Sequence, residues 1–153
     1  MDVKHVNPFI ASFLEIMPQI GFQTVRKGNL GVRGQDLVCS GVIIIVGIIG
    51  SIKGNIVYCI NSDDAKKIAS IMMMGMPIEE LNEMSKSALS ELSNMLTANA
   101  ATGFSKLGIP IDISTPTLMY GQDISVKMSA QQVLCVQLLA DDIPIDINIA
   151  FEN

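Results

Sequence analysis

Residues 37–50 constrain the fold most. The run is apolar over about fourteen residues, broken only by Ser40, Gly41, Gly47 and Gly50, whereas a membrane-crossing helix needs roughly 20. A transmembrane reading fails on length, so no membrane insertion is expected. Within the run, residues 42–46 are β-branched and apolar at successive positions. Successive strand residues point to opposite faces, so such a run belongs to a strand covered on both. Helices must therefore cover at least one side of its sheet.

The flanking pattern supplies them. Residues 2–18 place Val3, Val6, Phe9 or Ile10, Phe13, Leu14 and Met17 at three- and four-residue steps, the spacing of an amphipathic helix. Pro8 is tolerated only near a first turn, so this helix either starts at Asn7 or begins irregularly, and Gly21 stops it. Strand-like runs follow at 22–28, 36–49 and 51–60. Ser62 then reads as a capping hydroxyl, with Asp63 and Asp64 in the positive first turn of a helix reaching about Met74. Residues 77–107 read as a long helix of about thirty residues, opened by Pro77, Glu79, Glu80 and Glu83 and stopped by Gly108 and Pro110. Beyond it, 111–119, 123–128, 132–140 and 143–151 read as strands, with turns at 121–122, 129–130 and 141–142. This order lacks the alternation of a doubly wound parallel sheet. It predicts an α+β fold, an antiparallel β-sheet packed with helices, in a single domain over residues 1–153. A chain of this length buries roughly 70% of its unfolded surface, so its core needs no disulfide or metal staple.

Composition removes several functions. The formal net charge is -5, and the nearest thing to a basic patch, Arg26, Lys27 and Arg33, reads as a solvated strand face, so no nucleic-acid surface is expected. Residues 1–6 carry Asp2, Lys4 and His5 and lead into no secretory signal pattern. The three cysteines, Cys39, Cys59 and Cys135, are scattered among apolar residues without C-x-x-C spacing. They read as reduced, buried thiols in a cytoplasmic protein, with no metal role. There is no phosphate-binding loop, no G-x-S-x-G elbow, no H-E-x-x-H and no second histidine, so nucleotide hydrolysis of the P-loop type, hydrolase triads and zinc proteolysis have no residues to use. His5 reads as exposed or helix-packed. The ten methionines suit either a soft core or a sticky surface; Met72, Met73, Met74 and Met76 at the end of the second helix, and Met84, Met95, Met119 and Met128 in or beside the long helix and sheet, favour core and helix packing.

The long helix carries the chemistry. At about 100° per residue, Ser87, Glu91 and Asn94 fall within roughly 60° of arc, while Met84, Ala88, Leu92, Met95, Leu96, Gly103 and Leu107 take the opposite and adjoining face. Three different polar groups thus project together from one rigid stretch. Glu91 offers an anionic acceptor, Asn94 an amide donor and a carbonyl acceptor, and Ser87 a hydroxyl that does either. A solvated helix face has the same spacing. Asn99, whose angle puts it among apolar residues, reads as a buried, hydrogen-bonded amide rather than a second catalytic asparagine.

Ser87, three residues, Glu91, two residues, Asn94, twenty-one residues and Pro116 together resemble the signature of the CheC/CheX/FliY phosphatase family. Asn7-Pro8-Phe9-Ile10 before an apolar helix, and the strand 54–58 leading into the helix at Asp64-Ala65, are similar to that family as well. The likeness therefore covers nearly the whole chain. A single copy of the signature is CheX-like, since Glu15 is followed by Ile16, Met17 and Pro18 with no asparagine at the matching place. The resemblance implies a CheC-like layered fold with one long motif-bearing helix, and an enzyme that hydrolyses the aspartyl phosphate of a CheY-type response regulator. It implies Glu91 and Asn94 as the catalytic pair, with Asn94 orienting water and Glu91 pairing with a regulator lysine. Ser87 would support Glu91 or line the contact, and Pro116 would shape the strand entry. It also implies Mg²⁺ on the regulator, no cofactor of the chain's own, and a homodimer. A second implied reading is a non-catalytic docking module like the related middle domain of flagellar switch proteins, which lacks the Glu and Asn pair.

Overall fold

A computed structural model describes residues 3–152; Asp2, where the first helix was expected to begin, lies outside them. The long apolar strand β2 (Asp36–Gly50) pairs antiparallel with β3 (Gly54–Ile60), β4 (Ile111–Ile113) and β5 (Thr117–Lys127). The remaining strands are β1 (Val25–Arg33), β6 (Val133–Ala140) and β7 (Ile143–Phe151). All seven form one sheet in the order β1-β6-β7-β3-β2-β4, with β5 also on β2, and every pairing is antiparallel. The α+β expectation is borne out. The uncharged strand 133–140 lies inside the sheet, between β1 and β7, which keeps its backbone from being an exposed pairing edge.

Among the described residues three α-helices accompany the sheet: α1 (Asn7–Ile20), α2 (Ser62–Met72) and α3 (Glu83–Lys106). A short 3-10 turn, Val3–Val6, precedes α1, so the helix both begins irregularly and starts its α segment at Asn7, with Pro8 in the first turn, where its missing N–H has no cost. His5 packs edge-on against Phe104 and Phe151, with ring centroids 5.9 and 5.6 Å away. The main core joins Phe9, Phe13 and Met17 of α1, Ala65 and Ile68 of α2, and Leu89, Leu92, Leu96 and Phe104 of α3 to the inner residues of β2, β3, β6 and β7. Val42, Ile43, Ile44 and Val46 are all buried. Ile43 belongs to a second apolar cluster on the helix-free side, with Leu37, Val57, Val126 and Val133.

Several local expectations are corrected. Helix α3 begins at Glu83, not Pro77: Asn82 caps it, its side chain accepting from the Ser85 N–H while Ser85 Oγ accepts from the Asn82 N–H. This reciprocal box outcompetes the proline and the acidic pair Glu79 and Glu80, which lie in the preceding loop. Asn61 rather than Ser62 caps α2, accepting from the N–H groups of Asp63 and Asp64. The stretch expected as one strand at 111–119 is β4 and the start of β5, and β5 runs through the expected turn at 121–122. The turn at Asp141 and Asp142 is present, both residues in the left-handed region, as two-residue hairpin links require.

The thiol reading is also corrected. Cys39 and Cys59 are joined as a disulfide with Cα atoms 6.2 Å apart, while Cys135 is a buried free thiol whose pKa burial pushes up. The bridge joins residues 20 apart in sequence, a separation that carries no sign that two neighbouring antiparallel strands turn both side chains into the second cluster. The methionines divide. Met17 and Met128 are buried, but Met74, Met76 and Met84 are 98%, 52% and 64% exposed. Met74 and Met76 follow the end of α2 and Met84 lies on the solvent flank of α3, so the core-packing expectation fails for these three. No helix among the described residues is long and apolar enough to cross a membrane.

Candidate functional site

Helix α3 is held rigidly from below. Leu89, Leu92, Leu96, Ala100 and Phe104 are buried, each large side chain contributing about 1.5–3 kcal/mol by leaving water. Polar residues on the same side are satisfied inside the protein. Thr97 Oγ1 lies 2.7 Å from the Tyr58 hydroxyl and donates to the Ser93 carbonyl at 2.7 Å, and Ser12 Oγ donates to the Leu96 carbonyl at 2.6 Å. Burial holds the Tyr58 phenol far above its ordinary pKa, which keeps it neutral. The opposite flank is thereby turned to solvent.

That flank forms one wall of a groove of about 690 Å³ lined by Glu83, Lys86, Ser87, Ser90, Glu91 and Asn94 of α3; across it stand Thr115, Pro116, Leu118 and Tyr120. Ser87, Glu91, Asn94 and Pro116, the four signature residues, all line it. Ser87 and Glu91 are exposed and Asn94 half-buried. Among the described residues none of the three polar side chains makes a hydrogen bond or ion pair, so Ser87 lines the groove without bonding Glu91. Pro116 sits in the link between β4 and β5. Ser114 Oγ steadies that link by accepting from the Gly47 N–H at 2.8 Å. Met84 and Leu107, assigned to the apolar face from spacing, are exposed instead, and the buried face includes Ser85, Ser93 and Thr97. Asn99 is half-buried, has no side-chain hydrogen bond among the described residues, and does not line the groove.

Six groove residues were not singled out for the site: Glu83, Lys86, Ser90, Thr115, Leu118 and Tyr120. Lys86 stands with Nζ 5.9 Å from the centroid of the Tyr120 ring, and the Tyr120 hydroxyl lies 3.0 Å from Ser62 Oγ. Helical spacing alone offers Lys86, because Lys86, Ser90 and Asn94 follow at four-residue steps along one ridge. Nothing in the sequence offers Tyr120, which the β2–β5 pairing brings across from another part of the chain. Among the described residues no cluster of three or more His, Cys, Asp or Glu side chains is arranged to hold a metal ion.

With this geometry in place, the family model for the chemotaxis phosphatase CheX matches residues 42–139. The chain belongs to the CheX family. The CheY-P phosphatase CheX of Thermotoga maritima is 32% identical over 127 residues, covering 83% of this chain and 82% of that protein. A CheC-like superfamily protein from Shewanella sp. PV-4 superposes with a TM-score of 0.87 at 23% identity, over 100% of both chains. The CheX chain of a CheX-CheY-BeF3-Mg²⁺ complex from Borrelia burgdorferi superposes with a TM-score of 0.81 at 23% identity, over 99% of this chain and 100% of that one. These likenesses bear out the CheC-like layered fold, and the CheX match includes α3 and all four residues of the facing wall.

Proposed function

We propose that this chain is a phosphatase that accelerates hydrolysis of the aspartyl phosphate on a CheY-type response regulator. One observation carries the reading: Ser87, Glu91, Asn94 and Pro116 line a single open groove, and the three polar side chains have no partner among the described residues although the helix that bears them is anchored to the core. Membership of the CheX family and a relative named CheY-P phosphatase support it.

An acyl phosphate already has a good leaving group, so hydrolysis needs a placed water and compensated charge more than a strong base. The Asn94 carboxamide accepts from and donates to water and orients it in line with phosphorus. Glu91 pairs with a lysine of the regulator and fixes the two proteins in register. Ser87 lines the contact, and Pro116 shapes the opposing wall. Mg²⁺ is part of the phosphorylated regulator, which is the substrate; the chain itself needs no cofactor. The chain works as a cytoplasmic homodimer in this reading, so a monomer by sedimentation at micromolar concentration would contradict that assembly.

The test follows phosphate loss from phosphorylated receiver domains with Mg²⁺. Asn94→Ala abolishes acceleration with the fold retained, and full activity in that variant sinks the mechanism. Glu91→Ala weakens the encounter in a salt-sensitive way. If neither variant changes the rate but both weaken binding, the chain is a docking module instead.

A further inference from the structure

We infer that Lys86 and Tyr120 form a second contact for the regulator on the rim of the groove away from Glu91, where the Lys86 ammonium takes a carboxylate side chain of the regulator's surface. The inference rests on the proposed reading for its partner, a response regulator, and for the roles given there to Glu91 and Asn94.

Among the described residues Lys86 is the sole cation lining the groove, which also has two carboxylates, Glu83 and Glu91. It is half-buried, and among the described residues no carboxylate lies within ion-pair distance of it, whereas Lys66 and Lys67 stand 3.9 Å from Asp63 and Asp64. Its one neighbour of note is the Tyr120 ring, whose face attracts a cation without neutralising it. The charge therefore stays available to an anion from outside.

Tyr120 is a fixed platform. Its backbone lies opposite Val42 in the β2–β5 ladder, and its hydroxyl is tied to Ser62 at the start of α2. The neighbouring ladder pair is Gly41 with Gly121, beside a bulge in β2. A Cβ at Gly41 would fall on the Ile60 carbonyl oxygen, so glycine lets β2 pass close under the start of α2, which carries Ser62 towards the ring. Yet Tyr120 is 50% exposed. A tyrosine anchored at its polar end and half open to solvent is the kind of side chain on which protein interfaces are built.

The spacing along α3 selects the ligand. Lys86 lies eight residues before Asn94, about 12 Å along the helix axis, too far to share the phosphoryl group whose water Asn94 holds. From Glu91 it is about 7.5 Å along the axis and about 140° around it, so the two charges occupy opposite rims. A partner that puts a lysine against Glu91 and a carboxylate against Lys86 can dock in one orientation, because rotating it brings like charges together. A chain of net charge -5 also gains from one free cation where an anionic phosphorylated surface approaches.

The experiment measures both steady-state phosphate release and direct binding of a beryllofluoride-loaded, Mg²⁺-bound CheY-type receiver domain from the same organism, using the full chain with Lys86→Glu, Lys86→Arg and Tyr120→Leu. Lys86→Glu raises KM and Kd about tenfold, more at low than at high salt, with kcat within about twofold. Lys86→Arg restores both, and Tyr120→Leu gives a smaller rise. Unchanged Kd in Lys86→Glu overturns the inference even if wild type accelerates hydrolysis, and a fall in kcat at constant KM overturns it by putting Lys86 at the reacting group. A wild type that binds without accelerating, and loses binding in Lys86→Glu, upholds this contact while removing the phosphatase reading. Circular dichroism of each variant separates these results from loss of fold.

Discussion

Helix α3 carries two sets of polar side chains with opposite fates. Ser85, Ser93 and Thr97 face the protein, are buried, and have every hydroxyl engaged: Ser85 in the capping box, Ser93 on the Ser90 carbonyl at 2.7 Å, Thr97 on Ser93 and Tyr58. Ser87, Glu91 and Asn94 face the groove and bond to nothing among the described residues. Residue type does not separate the sets, since each contains a serine. What separates them is whether a side chain's hydrogen-bonding capacity is used up inside the fold or left for something outside. Buried hydroxyls must be satisfied, because an unpaired one costs about 1–3 kcal/mol. The groove residues escape that demand, and their unspent capacity is what a bound water and a partner lysine would take.

This contrast can be broken by substitution. The largest expected effect is Asn94→Ala, which removes the acceleration of phosphate loss altogether yet changes unfolding free energy by no more than about 0.5 kcal/mol; a substantial loss of stability in a urea titration would move Asn94 into the structural set. Thr97→Val should do the reverse, lowering stability by about 1–3 kcal/mol by stranding the Tyr58 hydroxyl, with phosphatase activity of the folded fraction unchanged. Asn82→Ala removes the cap on the groove-bearing end of α3 and should lower stability by about 1 kcal/mol, read as a shift in the urea midpoint. The smallest effect concerns the other side of the sheet. Thiol titration of the unfolded, unreduced protein should find one reactive cysteine, Cys135, and three after reduction; three without reductant would contradict the bridge between Cys39 and Cys59.

Much of the molecule was legible in the sequence, and where it was not, the cause is specific. Strand and helix types follow from side-chain periods, and these were read correctly for the apolar run of β2 and for the stripe of Ser87, Glu91 and Asn94. Helix starts were misread at Pro77 and Ser62 because several residues there have capping chemistry and the competition is settled by local geometry. The apolar face of α3 was rotated slightly, since spacing cannot say that Ser85, Ser93 and Thr97 find partners and so count as buried. Met74, Met76 and Met84 were assigned inward, Met84 from its helical spacing and the other two from their place at the end of α2, although an exposed methionine costs little.

By itself the sequence determined the antiparallel α+β architecture, the family, and four residues of the candidate site, Ser87, Glu91 and Asn94 on one wall and Pro116 on the other, because all three rest on spacing along the chain: period two, period 3.6, and four signature positions. Only the tertiary structure decided that Thr115, Leu118 and Tyr120 stand with Pro116 opposite α3. The pairing of β2 with β5, and the tie from Ser62 to Tyr120, bring the second wall to Lys86 across 34 residues of chain from that lysine, and the pairing of β2 with β3 brings Cys39 to Cys59. Contacts of that kind depend on strand register and chain path, which the local order of side chains does not encode.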